Sequence, residues 1–244
     1  MFYHLPWRQK LPLFELIRIL CLGVIGYFSF AMLIGAAVGL AKAWRLVPPE
    51  QMREVITTFT SMVQFPVLLL MLLLLYRVGP TGNLGAKLGI RPLCGNDFKL
   101  AITGLLQIYI LGFVAQIVWK FILEKLHVPF AEEQGLTELL KTASPLTFGM
   151  MIFTVALAAP VCEEIFFRRL LYDLVRRFCG RHAIVVTSLI FSMIHFFLFG
   201  LPMLFIVGYF CQRQYLKSRN LAVSIVMHVI FNSITLAAVG LKLE

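Results

Sequence analysis

The sequence predicts an all-α protein, a polytopic transmembrane helix bundle of about seven spans forming a single integral membrane domain over residues 1–244. Three observations carry that reading. Hydrophobic residues make up 60% of the chain and charged residues only 14%, against about 45–50% and about 25% in soluble domains. Several apolar runs approach or exceed the roughly 20 residues needed to cross a hydrocarbon layer about 30 Å thick. Finally, Lys and Arg concentrate in the short segments between those runs, as the positive-inside bias requires. That distribution accounts for the net charge of +10, so bilayer lipids are the expected partner and nucleic acid is not.

The expected spans are Pro12–Leu40, Ile56–Tyr76, Leu100–Ile122, Pro145 to about Arg176, Ala183–Phe199, Pro202–Tyr215 and Leu221–Gly240. The first extends too far for a signal peptide and lacks a small-residue cleavage site, so it is expected to stay as a span. The second is apolar from Phe65 almost to Arg77. The fourth carries Pro160, which removes a helical hydrogen bond and predicts a kink. The sixth is short for a full crossing. Between spans, the Gly- and Pro-rich stretch Val78–Phe98 reads as an irregular cytoplasmic linker, and Leu126–Ser144 has room for a short amphipathic helix on the opposite surface.

With seven crossings, twelve basic residues fall on one side: Arg8 and Lys10, then Arg77, Lys87, Arg91 and Lys99, then Arg176, Arg177 and Arg181, then Arg213, Lys217 and Arg219. Seven fall on the other, Lys42, Arg45, Arg53, Lys120, Lys125, Lys141 and Lys242, beside the acidic Glu132, Glu133 and Glu138. The bias places the N-terminus in the cytoplasm and the C-terminus outside. Arg169, Arg176 and Arg177 read as cytoplasmic anchors. The five cysteines, an odd number without a C-x-x-C pair, read as free thiols.

Polar groups stand out where they are costly. Glu163, Glu164, Arg168, His195, His228 and Asn232 lie in or beside apolar helices of the last hundred residues, and ionisable groups at membrane depth are paired or functional by default. At 1.5 Å per residue, Glu163 lies about 20 Å from the cytoplasmic end of its span, His195 about 18 Å into the fifth, and His228 and Asn232 about 10 and 16 Å into the seventh. Three helices can therefore bring these groups to one level, placing an active site among the last four spans. Glu164 and Arg168, four apart, share a face and can form an ion pair. Glu163 points about 100° away and is available for another task. His228 and Asn232, again four apart, can face one point, and Phe191 lies one turn before His195, where it can wall the site or brace the ring. The aromatic group Phe166, Phe167, Phe196, Phe197 and Phe199 reads as lipid or helix contact.

This set suits hydrolysis. Glu163 can take a proton from water as general base, with His195 holding that water or shuttling the proton. His228 and Asn232 can donate hydrogen bonds to the oxygen on which charge develops. The alternative readings are a zinc hydrolase, although no H-E-x-x-H helix is present, and a non-catalytic membrane scaffold, bacteriocin immunity protein or small-solute carrier.

At these residues the chain resembles the CPBP family of intramembrane proteases, which includes the type II CAAX prenyl endopeptidases and the bacterial Abi proteins. The E-E-x-x-x-R motif is Glu163-Glu164-Ile165-Phe166-Phe167-Arg168, F-x-x-x-H is Phe191-Ser192-Met193-Ile194-His195, and H-x-x-x-N is His228-Val229-Ile230-Phe231-Asn232. The resemblance covers roughly residues 146–239, the expected catalytic core. It implies a glutamate-type endopeptidase without a cofactor or metal, in which Glu163 and His195 activate water, His228 and Asn232 form the oxyanion site, and Glu164 and Arg168 organise it. It also implies a membrane-associated or prenylated peptide or protein substrate and a bacterial inner or plasma membrane setting. Processing, immunity and regulatory roles, and the oligomeric state, stay open at this point.

Overall fold

The computed structural model describes residues 11–48, 52, 56, 59, 63–78, 83–131 and 144–240. Outside them lie much of residues 56–62 in the second expected span, most of the expected amphipathic helix between Leu126 and Ser144, and the basic residues Arg8, Lys10, Arg53, Lys141 and Lys242. The acidic residues Glu132, Glu133 and Glu138 and the Gly79–Gly82 stretch also lie outside.

Within the described residues the protein is all-α. Helix α1 spans Leu13–Ala43, α2 Gln64–Arg77, α3 Leu84–Leu88 and α4 Gly95–Lys125. A long helical stretch follows, made of α5 (Pro145–Phe153), a π-helical turn (Thr154–Ala158), α6 (Ala159–Glu163), a second π-helical segment (Glu164–Leu171) and α7 (Tyr172–Cys179). A 3₁₀ turn at Gly180–His182 leads into α8 (Ala183–Met193), then α9 (Leu201–Ser218) and α10 (Leu221–Gly240). Among the described residues four helical stretches, Leu13–Ala43, Gly95–Lys125, Thr147–Met193 and Leu221–Ala238, are long and apolar enough to cross a membrane, and α2 is a shorter apolar helix. The chain is accordingly an integral membrane protein with several membrane-length helices. Phe14, Phe28 and Met32 on α1, and Ile110, Phe113 and Phe121 on α4, are more than half exposed, a surface that lipid tails solvate and water does not.

Two compact units divide the chain, one built from Gly85–Gln134 and Glu163–Phe231, the other from Leu11–Leu84, Gly135–Cys162 and Asn232–Glu244. The first has a core of Ala101, Ile108, Phe167, Phe191, Val207, Phe210, Cys211, Val223, Met227 and Phe231. Small residues let its helices approach: on α4, Gly104 faces Met227 and Gln214, and Gly112 faces Met203. A Cβ on Gly208 would stand 3.2 Å from the Ser188 backbone and 3.3 Å from the Phe191 ring. In the second unit, α1 packs on α2 through Gly23 and Gly26 against Met71 and Leu70. Phe65 stacks on Phe153 with ring centroids 5.9 Å apart. All five cysteines are thiols outside any disulfide.

Three features depart from expectation. Residues 83–98 are not a slack linker. Arg91 grips both oxygens of Asp97 at 2.8 and 2.9 Å, the Asp97 carboxylate caps α4 by accepting from the Cys94 N–H at 3.0 Å, and Asn220 ties both to the start of α10 by donating to the Arg91 carbonyl at 3.0 Å. Arg169 is not a surface anchor. It is fully buried, donating to the Lys87 carbonyl and to Asp173, one turn away on its own helix. Burial is tolerable because its charge has a carboxylate partner.

The third departure is the end of the fifth expected span, which stops at Met193 instead of running to Phe199. The Phe191 carbonyl, which would bond the N–H of residue 195 in a continuing helix, instead faces the His195 ring Nδ1 at 2.7 Å. The His195 N–H turns to the Ser192 carbonyl at 3.4 Å. Phe196 then enters the left-handed region at φ 49°, and His195 sits in a turn beyond α8 instead of inside it.

Candidate active site

The site begins with the carboxylate pair at the junction of α6 and the second π-helical segment. Arg168 Nε donates to Glu164 Oε2 at 3.0 Å, and both side chains are fully buried. The other oxygen, Glu164 Oε1, is 2.9 Å from His228 Nδ1 on α10. A carboxylate can only accept, so Nδ1 carries the proton and the second ring nitrogen is directed elsewhere. That nitrogen, Nε2, lies 3.8 Å from Glu163 Oε2. The distance is too long for a direct hydrogen bond and short enough for one water oxygen to contact both atoms. Glu163 is the accessible member of the pair, its side chain 25% exposed where that of Glu164 is sealed. Arg168, Glu164 and His228 form a hydrogen-bonded chain with Glu163 just beyond its open end, and the Arg168–Glu164 ion pair offsets much of the cost of charge in an apolar surrounding.

Phe191 is the hub of this group. Its fully buried ring carries the Arg168 guanidinium 4.7 Å from the centroid, meets the His195 ring edge-on at 4.8 Å and the His228 ring at 5.8 Å. Phe167 packs edge-on against it at 5.1 Å, so this member of the aromatic group belongs to the core. His195 is fixed by its own backbone: the Phe191 carbonyl accepts from Nδ1–H, which leaves Nε2 with a lone pair in the neutral ring. The structure thus brings together Glu163, Glu164, Arg168, His228 and Phe191, with His195 joined through the Phe191 ring and carbonyl. The partnership of His228 with Glu164 was not legible in the motif spacing, because it joins residues 64 positions apart.

Asn232 lies one turn beyond His228 on α10 and belongs to the other compact unit. There its Nδ2 donates to the Val155 carbonyl at 2.8 Å. The reason lies in the first π-helical turn. The Ala159 N–H, which would serve Val155 in an α-helix, reaches back to Thr154, and the next residue, Pro160, has no N–H to offer. Val155 is left with an unserved carbonyl, and an unpaired carbonyl away from water is costly. Pro160 was expected to kink the helix; here the helix accommodates it with a π turn and a side-chain donor.

Gln116 and Trp119 on α4, which donate to the turn that carries His195, escaped the sequence reading, since a lone Trp or Gln in an apolar span announces no partner. Among the described residues no three His, Cys, Asp or Glu side chains group as a possible metal site.

All of the motif residues fall within one stretch with a known relationship. Residues 145–234 match the family model of the type II CAAX prenyl endopeptidase, Rce1-like. The resemblance read from the three motifs is therefore shown for this segment. The Rce1-like segment opens at the first residue of α5 and closes two residues after Asn232, so it encloses every motif residue and leaves α1–α4 outside. No curated protein and no solved structure matches the chain.

Proposed function

We propose that this protein is an intramembrane endopeptidase that hydrolyses a peptide bond in a membrane-associated or prenylated peptide. The observation that carries the reading is the partly exposed Glu163 beside the sealed His228–Glu164–Arg168 chain, within an Rce1-like segment. Glu163 takes one proton from a water whose oxygen attacks the peptide carbonyl carbon, and His195 Nε2 holds that water by accepting its other hydrogen. The carbonyl oxygen becomes an oxyanion, which Asn232 and His228 stabilise. Because Nδ1–H of His228 is committed to Glu164, this ring donates to the oxyanion only through a protonated Nε2. Collapse of the tetrahedral intermediate breaks the C–N bond, and Glu163 returns its proton to the leaving amine. The amide of Asn232 has two hydrogens, so donation to Val155 leaves one for the oxyanion. Glu164 and Arg168 hold His228 in place.

The substrate enters from the cytoplasm or laterally from the bilayer, its apolar portion partitioning into lipid. The remaining proposals are seven crossings with a cytoplasmic N-terminus, and a bacterial inner or plasma membrane setting. A mass-spectrometric comparison of membrane peptides from cells making the wild type or Glu163→Gln at equal level tests the function. A defined cleavage product present only with the wild type supports it and identifies the substrate. Identical peptide sets, or transport or partner protection that survives combined loss of Glu163 and His195, favour a non-catalytic scaffold, immunity protein or carrier.

A further inference from the structure

The turn between α8 and α9 carries His195 and is held from outside. Its backbone carries local bonds from Phe196 N–H to Met193 at 3.1 Å and longer ones, at 3.4 Å, from His195 N–H to Ser192 and from Leu201 N–H to Leu198. Phe196 adopts φ 49° and is 94% exposed, so its own packing does not hold it there. A left-handed conformation in a residue with a Cβ persists only where neighbouring contacts over-determine it.

Two contacts to the far end of this turn come from α4. Gln116 Nε2 donates to the Phe199 carbonyl at 2.6 Å and Trp119 Nε1 donates to the Leu198 carbonyl at 2.9 Å. The two donors are three residues apart and share one face of α4. Just after α4, Phe130 stacks on Phe199 with centroids 5.2 Å apart and planes 6° from parallel. Helix α4 is itself seated against α9 and α10 through Gly104 and Gly112, so the grip is mounted on a packed element. At the other end of the turn the His195 ring is tied to the Phe191 carbonyl.

We propose that Gln116 and Trp119 are positioning residues for His195, fixing the turn so that its free ring nitrogen stays aimed at the catalytic water. The proposal rests on the hydrolytic reading above. Misplacing a catalytic group by about 1 Å can cost on the order of 100-fold in rate, so loosening two loop carbonyls is expected to act on turnover and not on substrate binding.

The test uses Trp119→Phe and Gln116→Met, which remove the donors but keep much of the bulk, singly and together in the full-length protein. Each is made in the wild-type and His195→Gln backgrounds, and purified protein is checked for folding by thermal unfolding. Two quantities are read: single-site kinetics on a peptide the wild type cleaves, and the rate at which diethylpyrocarbonate modifies His195, followed by peptide mass spectrometry. In the folded double variant kcat is expected to fall on the order of 10- to 100-fold with KM nearly unchanged, with no further fall in the His195→Gln background. The modification rate of His195 is expected to rise several-fold. An unchanged modification rate, or an equal loss of turnover in both backgrounds, overturns the proposal. If the wild type cleaves no peptide the hydrolytic reading fails by itself, and the modification rate still decides whether the α4 grip sets the position of His195.

Discussion

At the residue scale the two neighbouring glutamates differ in what surrounds them. Glu164 is sealed between Arg168 and His228, so Glu164→Gln leaves a buried guanidinium without its charge partner. Removing one member of a buried pair costs about 3–5 kcal/mol. Thermal unfolding in detergent should therefore show Glu164→Gln strongly destabilised, while Glu163→Gln, at a 25% exposed side chain, unfolds close to the wild type. Equal unfolding temperatures would remove the distinction.

Asn232 donates to the Val155 carbonyl and is proposed to donate to the oxyanion as well. Asn232→Asp loses the donor and adds a negative charge, so single-turnover cleavage at saturating substrate should fall about 10²- to 10³-fold. Stability should fall too, by about 1–3 kcal/mol for the unserved carbonyl. Normal cleavage in the folded variant would confine Asn232 to its helix contact.

The Glu164–Arg168 pair was legible because a spacing of four puts side chains on one helical face, and the bond survives in a π-helical segment. The contact of Asn232 with Val155 was not, since it depends on a π turn that moves the Ala159 N–H to Thr154. Pro160 alone signals a missing donor; it does not say which carbonyl is left over or what serves it. Arg169 was misread for a related reason. Its backbone partner, Lys87, is 82 residues away, and in sequence it resembles the basic residues that do mark a membrane boundary.

At the scale of elements, α8 and α9 are tied by a close approach with little slack. A Cβ added at Gly208 would meet the Ser188 backbone at 3.2 Å and the Phe191 ring at 3.3 Å, and neither can swing away as a flexible chain end could. Overpacking a tight core costs about 1–3 kcal/mol. Gly208→Val is expected to lose that much stability by thermal or denaturant unfolding and to reduce cleavage further, because the displaced Phe191 ring contacts both histidines. Unchanged stability and activity would contradict the packing argument. Helix existence was readable from apolar runs, but the end of α8 was not. A histidine ring that takes the carbonyl of its own preceding turn stops a helix inside a run whose hydropathy says nothing of it.

At the scale of the whole molecule, the composition and the four membrane-length stretches among the described residues place the chain in a bilayer, and the proposed cytoplasmic N-terminus rests on the distribution of basic residues. The exposed Cys94 lies on the proposed cytoplasmic side. In sealed vesicles, a variant with Cys94 as its sole thiol and another with a single cysteine added after Glu244 should label from opposite faces with an impermeant reagent. Labelling from the same face would exclude the seven-crossing topology.

Glu163 is proposed to drive peptide hydrolysis within the Rce1-like segment. Its most direct test is single-turnover cleavage in proteoliposomes, with the peptide found by comparing membrane peptides, for the wild type and for Glu163→Gln matched in folded amount. The wild type is expected to cleave without added cofactor and Glu163→Gln to give no detectable product, with peptide binding retained by both. Cleavage at the wild-type rate by folded Glu163→Gln would contradict that role.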